Sequence, residues 1–367
     1  MLIGIDASRA ARGERTGTEK YSFELIRHLV ALDQKNRYRL YFDRPPFCEL
    51  RIANCELRVM PFPRLWTHVR LSWEMMHRPP DVLFVPAHVL PIVHPPRSVV
   101  TVHDLGYLYF PRTHRVLDRL YLDLSTRHNA RAAAHIIADS QATKRDLMER
   151  YGVDPAKIAV VYPGCDVAAF HPLDAGAVES VKARYGIAGD YILFVGTIQP
   201  RKNLVRLIEA YRKLEAGSWK LVIAGKKGWL YEAVFRRVRE LGLEGQVVFT
   251  GYVAEEDLPA LFSGARLFVF PSLYEGFGLP VLEAMACGTP VVCSNASSLP
   301  EVAGDAALLF DPLDVEGMAA AMDRVLRDEA LRAELIERGL KRARRFSWEK
   351  CARETLAVLG KVGAPLR

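Results

Sequence analysis

The segment FPSLYEGFGLPVLEAMACG, residues 270–288, places two carboxylates, Glu275 and Glu283, around a glycine-bearing turn. Gly276 and Gly278 follow the first, and backbone without side chains lets a ligand approach closely. Pro280 then opens an apolar helix. The first amides of such a helix lack intrahelical partners and carry positive partial charge, which suits an anion. Glu283 falls just inside that helix, where it can accept hydrogen bonds from ribose hydroxyls, as an acidic residue does in dinucleotide-binding folds. Glu275, in the loop, is placed to hold sugar hydroxyls. A carboxylate at a helix N-terminus gains only about 0.3–1 kcal/mol from the dipole. That gain accounts for either Glu singly, but not for the glycines and the spacing together.

Three other segments carry chemistry-bearing residues just after apolar runs. In VGTIQPRKNLVRLIEAY, Arg201 and Lys202 precede a helix starting at about Asn203. Two cations beside a helix N-terminus make a clamp for a diphosphate, with Arg gripping through its fork and Lys acting as a point charge. In VVTVHDLGY, His103 and Asp104 end a buried-type strand, where a His can contact a substrate hydroxyl or share a proton. In ASRAARGERTGTEKYSFEL, Gly13 and Gly17 feed a helix beginning near Thr18. This is neither GxGxxG nor a Walker A sequence, so alone it also reads as a surface loop.

These residues need strands to end beside one another. Short β-branched runs alternate with amphipathic stretches along the chain, the pattern of parallel sheets covered on both faces. LIGID, YRLYF, DVLFV, SVVTVH and HIIADS read as strands in the first half, and YILFVG, WKLVIAG, QVVFTG, RLFVFPS and PVVCS in the second. Residues 203–215, 254–264 and 314–345 read as helical. VYPGCDVAAFHPLDAG, rich in Pro, Gly and Asp, reads as a hinge. The expected fold class is α/β, with two doubly wound domains facing across a cleft. Ligands of such sheets bind beyond the C-terminal strand ends.

The 367 residues exceed one ordinary core, in agreement with two domains. No apolar run approaches the ~18 residues of a membrane span, and no basic segment precedes the first strand, so neither a signal peptide nor a spanning helix is expected. The six cysteines, Cys48, Cys55, Cys165, Cys287, Cys293 and Cys351, form no CxxC pair and read as reduced thiols of a cytoplasmic protein, with Cys287 and Cys293 in the core. Through residue 170 the chain carries 24 Lys and Arg against 18 Asp and Glu, nearly all of the +7 excess of the whole. A basic half suits an anionic partner, and equally a solvated basic surface. No aromatic-interleaved basic patch marks a nucleic-acid binder. No D-x-D pair offers a metal–diphosphate site, so the cations and helix N-termini must meet a diphosphate's charge.

EGFGLPVLEAMACGTPVV, with GTIQPRKNL upstream, resembles the family 4 (group 1) retaining glycosyltransferases of GT-B fold. The resemblance covers nearly the whole chain. TGTEKYSFEL resembles the family's first loop and helix, VHDLGY its acceptor-side His, and SQATKRDL the segment before the hinge. VVYPGCDVAAFHP resembles its linker and FSWEKCARETLAVL its closing helix. The resemblance implies that residues 1–168 with 347–367 form the acceptor-binding domain, the closing helix crossing back to it, and residues 169–346 the donor-binding domain. It implies that Glu283 binds the donor ribose, Glu275 the sugar hydroxyls, and the amides of Gly276, Phe277, Gly278 and Leu279 the sugar and phosphate. Lys202 and its companion Arg201 would contact the diphosphate beside Gly196, Gly17 would lie under the β-phosphate, and His103 would sit near the reacting carbon. Many members have Arg directly after the glycine that ends the first strand of the donor domain. Here Thr197 follows Gly196, and the resemblance implies that Arg201 would supply that charge. The family's retention is explained by front-face attack, the leaving phosphate taking the acceptor's proton, with no metal or other cofactor and with domain closure excluding water.

The PRKN variant resembles mannosyltransferases of bacterial surface polysaccharides, which implies GDP-mannose as donor, with UDP-glucose or UDP-N-acetylglucosamine as the alternative. A nucleotide-sugar epimerase of the same fold would use similar phosphate contacts without an acceptor, and the motifs count against it. The expected acceptor is a glycan or lipid-linked sugar. FPRLWTHVRLSWEMMHRPP, residues 62–80, combines Trp66, Trp73, Met75 and Met76 with Arg64, Arg70 and Arg78. It reads either as a peripheral contact with an anionic membrane or as an amphipathic helix packed on the sheet. No nucleic-acid partner is expected.

Overall fold

A computed structural model describes residues 1–13, 15, 17–46, 54–87, 89–111, 116–214 and 219–364. It separates into two compact units, Met1–Gly164 with Ser347–Arg367, and Cys165–Phe346. The first unit runs β1 (Leu2–Asp6), α1 (Gly17–Leu32), β2 (Arg37–Phe42), β3 (Cys55–Val59), α2 (Ser72–His77) and β4 (Val82–Val85). It continues with β5 (Ser98–Val102), α3 (Gly106–Tyr109), α4 (Val116–Ala132), β6 (His135–Ala138), α5 (Gln141–Tyr151) and β7 (Ile158–Val160). The second begins α6 (Ala175–Arg184), β8 (Tyr191–Val195), α7 (Leu204–Lys213), β9 (Lys220–Ala224), α8 (Glu232–Glu240) and β10 (Val247–Gly251). Then come α9 (Leu258–Ser263), β11 (Leu267–Phe270), α10 (Leu279–Ala286), β12 (Val291–Ser294) and α11 (Leu299–Ala303), followed by β13 (Ala307–Phe310), α12 (Val315–Arg327) and α13 (Glu329–Ala343). The closing helix, α14 (Trp348–Gly363), belongs to the first unit and packs on α1 and on β4, β5 and β6.

The first sheet has the order β3-β2-β1-β4-β5-β6-β7 and the second β10-β9-β8-β11-β12-β13, with every recorded pairing parallel. Both orders reverse direction once, between β1 and β4 and between β8 and β11. Parallel strands covered by helices on both faces must be apolar throughout, and VLFV, SVVTV, HIIA, LFVF and VVCS are buried at every position. Cys287 and Cys293 lie in this packing. Cys55, Cys165, Cys287, Cys293 and Cys351 are free thiols, and Cys48 lies outside the described residues.

Three strands, β3, β7 and β13, add to those expected from the sequence. The helical stretch 314–345 is two helices, broken at Asp328, whose side chain caps α13 by accepting a hydrogen bond from the Leu331 amide at 2.9 Å. Residue 215, the expected end of the 203–215 helix, lies outside the described residues.

Within 62–80 the apolar residues divide. Trp66 and Met75 are core residues, the Trp66 indole donating to the Met60 carbonyl at 2.8 Å, while Trp73 and Met76 are 50% and 60% exposed. The segment is one π-helical turn, Thr67–Leu71, followed by the short α2, so only part of it faces outward.

Candidate functional site

The switch between β8 and β11 concentrates the predicted residues of the second unit. Loops leaving two adjacent strands in opposite directions open a crevice at their C-terminal ends. The loop after β8 carries Gly196, Arg201 and Lys202, and the loop after β11 carries Glu275 through Gly278. Pro200–Lys202 form a single 3₁₀ turn, and Asn203 follows in the left-handed region at φ 59°. Asn tolerates that conformation because its side chain can bond locally. Here the Asn203 amide donates to the Pro271 carbonyl at 3.1 Å and the Pro312 carbonyl at 2.7 Å, tying the two loops together.

Lys202 donates through Nζ to Glu275 Oε1 at 2.6 Å and lies 4.8 Å from the Phe270 ring centroid. Arg201 Nη1 donates to the Tyr274 carbonyl at 2.6 Å and reaches Glu275 Oε2 at 3.3 Å. The carboxylate therefore engages both cations, one on each oxygen. Burial alone would push Glu275 up, but the Lys202 ammonium and the Arg201 guanidinium outweigh it and hold its carboxyl below the ordinary value. A Cβ on Gly196 would stand 3.5 Å from Lys202 Cε, so the end of β8 borders the same cluster.

The main chain around Glu275 is fixed by two serines that sequence reasoning passed over. The Glu275 amide donates to Ser297 Oγ at 2.8 Å, and Ser298 Oγ bonds the carbonyls of Glu275 at 2.9 Å and Phe277 at 2.7 Å. Ser297 holds a positive φ of 50° to do so. Both follow β12, and the rule that directs attention to loops after strands was enough to flag them. Gly278 ends the loop at φ 111°, where a Cβ would come within 2.6 Å of Leu299 Cδ2. It starts α10 without a side-chain cap, so the helix presents its N-terminal amides unblocked by a capping residue.

Glu283 is buried in the second turn of α10, with Cys287 one turn on. Burial, and secondarily the Glu283 charge, push the Cys287 thiol up to about 12. Gly276 and Phe277 are buried in the loop, and the Phe277 ring meets Phe346 edge-on at 5.8 Å. Leu279 is the first residue of α10.

The remaining predicted residues belong to the first unit. Gly17 opens α1, with nothing within 4 Å of where a Cβ would project. His103 follows β5 and is fully engaged. Its Nδ1 lies 2.6 Å from Asp139 Oδ2 and its Nε2 lies 2.9 Å from the Pro86 carbonyl. Burial pulls this imidazole down, and the Asp139 carboxylate more than reverses the effect, so its pKa lies above the ordinary histidine value. Asp104, its acidic neighbour in the chain, accepts a hydrogen bond from the Gly106 amide at 2.9 Å.

Comparison with known proteins places this geometry. "Glycosyl transferases group 1" matches residues 182–342 and "Glycosyltransferase Family 4" residues 15–169. The chain is 32% identical to the O-antigen chain mannosyltransferase B of Escherichia coli, over 96% of this chain and 98% of that one. Among solved structures, Anabaena HepE in complex with UDP and glucose superposes with a TM-score of 0.78 at 20% identity, covering 98% of this chain and 99% of that one. Sucrose-phosphate synthase of Thermosynechococcus elongatus gives 0.77 at 21%, covering 98% of both chains. Those two likenesses concern the fold, and the near-full-length relative carries the family: this chain belongs to the group 1, family 4 glycosyltransferases, as an enzyme of GT-B fold built from two parallel-sheet Rossmann-like units.

Proposed function

We propose that the protein is a retaining mannosyltransferase that moves mannose from GDP-mannose to a glycan or lipid-linked acceptor in surface-polysaccharide assembly. The observation that carries the site is the closure of Lys202 and Arg201 on Glu275 at the switch between β8 and β11, next to the start of α10. The choice of mannose rests on the near-full-length likeness to the E. coli enzyme.

In this reading the donor diphosphate replaces the Glu275 carboxylate on the two cations, and the amides from Gly276 to Leu279 meet its remaining charge. Glu275, released from the cations, accepts hydrogen bonds from mannose hydroxyls, and Glu283 accepts from the ribose. As the anomeric carbon–oxygen bond breaks, negative charge grows on the departing phosphate, where Lys202 and Arg201 stabilise it. The same phosphate oxygen takes the proton of the acceptor hydroxyl as the new glycosidic bond forms on the face that was vacated. His103 shares the Nε2–H that the Pro86 carbonyl holds in the free protein with a hydroxyl of the transferred sugar, and Gly17 leaves space for the β-phosphate. Losing one such positioned donor costs on the order of 10²–10³ in kcat. No metal takes part in this proposed scheme.

The acceptor-binding role falls to the first unit, Met1–Gly164 with Ser347–Arg367, and the donor-binding role to the second, Cys165–Phe346, a boundary four residues before the one expected at 168. We assign a peripheral contact with an anionic membrane to the first unit. The exposed Leu65, Trp73 and Met76 are joined there by Leu117, Leu120 and Leu124 of α4. His68 Nε2 lies 2.9 Å from Tyr121 Oη of that helix, which brings the two segments together. No helix among the described residues is long and apolar enough to cross a membrane.

The test is transfer from GDP-mannose to a mannose-terminated oligosaccharide, with the anomeric configuration of the product read by NMR. An α-linked product, formed equally well in EDTA, is expected. A β-linked product contradicts retention, and transfer from UDP-glucose alone overturns the donor.

A further inference from the structure

Strands β5 and β6 are in parallel register with Val102 opposite Ala138, so the next residues, His103 and Asp139, leave the sheet side by side. Asp139 and the SQAT segment that follows it then converge on the histidine. Asp139 Oδ2 binds the ring through Nδ1 at 2.6 Å, and Thr143 Oγ1 donates to the His103 carbonyl at 3.1 Å. Ser140 caps α5 by accepting from the Thr143 amide at 3.0 Å, which fixes Thr143 in turn. The Tyr21 ring stands edge-on to the imidazole at 4.8 Å, its hydroxyl 3.3 Å from Thr101 Oγ1.

The proton count follows from the partners. Nε2 faces the Pro86 carbonyl, which only accepts, so Nε2 carries a hydrogen. A second proton lies in the short Nδ1–Oδ2 bond. Such a ring carries an N–H at Nε2, held here by the Pro86 carbonyl, and has no lone pair there to act as a base. Asp139 is 5% exposed, and its Oδ1 has no hydrogen-bond partner among the described residues. A buried carboxylate oxygen left unpaired is costly, so this arrangement is a poor device for stability alone.

We propose that Asp139 is a positioning residue that fixes the tautomer and orientation of His103, so that the Nε2–H, held by the Pro86 carbonyl in the free protein, serves the transfer reaction as a hydrogen-bond donor shared between that carbonyl and the sugar. This rests on the reading above that His103 touches the donor sugar. The groups facing the pair are Asp104 beside it in the chain, Tyr21 from α1 and Cys351 from α14. Burial keeps Tyr21 and Cys351 neutral. Asp104 adds negative charge that favours the protonated ring.

The experiment compares Asp139→Asn, Asp139→Glu and His103→Ala with the wild type, each first shown by thermal melting and nucleotide binding to be folded. Asp139→Asn is expected to lower kcat by about 10–100-fold, the loss that follows misplacement of a site group, with the donor KM changed less than about threefold. Without the carboxylate, burial moves the ring to its neutral form. The variant's activity should therefore recover as pH falls through the ordinary histidine range near ~6.5, a limb the wild type lacks. Asp139→Glu should restore part of the rate. In ¹⁵N-histidine spectra of the wild type, His103 should keep Nε2 protonated from about pH 6 to 8.

Loss of rate in His103→Ala with an unchanged rate and pH profile in Asp139→Asn overturns the positioning role alone. Unchanged rates in both overturn it together with the contact between His103 and the donor. If Asp139→Asn does not fold, a His103 of the wild type that titrates freely near ~6.5, or carries its neutral proton on Nδ1, overturns it.

Discussion

Lys202 and Arg201 bind a carboxylate of their own chain, Glu275, at the place the proposed function gives to a donor phosphate, and this pairing has a consequence for stability. Glu275 has its pKa lowered on folding, so its ionised form stabilises the fold at pH values above the ordinary glutamate range near ~4.3. That contribution is lost as pH falls through the folded value, which lies lower still. Glu275→Gln is expected to cost about 1–3 kcal/mol at neutral pH, by weakening buried hydrogen bonds to charged groups. The difference from wild type should narrow as pH falls below the ordinary glutamate range and close below the folded value, where the wild-type carboxylate is itself protonated. Thermal melting from pH 3 to 8 reads it, and a gap independent of pH contradicts the pairing. The same variant should bind a nucleoside diphosphate more tightly, since the competing carboxylate is gone, yet transfer sugar poorly. At this scale the sequence was informative about residue types: Glu275, Arg201 and Lys202 were legible from glycine spacing and the RKN triplet. Their partnership with one another was not, because it depends on which strands are neighbours. Asp139 escaped for the same reason, its tie to His103 spanning 36 residues of sequence.

Helix α10 owes its placement to one backbone conformation. Gly278 at φ 111° turns the loop into the helix, and an alanine there would be strained in backbone and would press on Leu299. Gly278→Ala is expected to destabilise the protein by about 1–3 kcal/mol and to weaken nucleotide binding by shifting the α10 amides. Calorimetric unfolding and binding titration check both, and a variant that melts and binds like wild type removes the argument. Glycine followed by Pro280 made this helix start readable in advance. Other boundaries were hidden. CELRV, β3, is a partly exposed strand with a charged pattern, and IAV, β7, is too short to show periodicity. The break at Asp328 lies inside a continuous apolar–polar period, and only the capping contact reveals it.

The two units repeat one strand order although the sequence shows no internal repeat. A buried parallel strand asks only for a short apolar run, and many unrelated runs satisfy it. Fold class was therefore legible from alternation alone, whereas strand order was not, since it is set by which crossovers pack. The positive balance of the first unit also has a reading at this scale. With its exposed leucines and Trp73 it predicts binding to vesicles containing anionic lipid at low salt, reduced by added salt. Trp73→Ala with Leu120→Ala should weaken it, and no sedimentation with such vesicles would remove the membrane contact while leaving the transfer chemistry untouched.

The central claim is that the crevice between β8 and β11, with α10, binds the nucleoside diphosphate of a sugar donor. Calorimetric titration of GDP, UDP, ADP and dTDP into wild type and Glu283→Ala tests it most directly. The account predicts preferential binding of GDP, weakened in Glu283→Ala by about 1.5–3 kcal/mol, as for a lost hydrogen bond to a charged group. Absence of binding by any of the four nucleotides would contradict it.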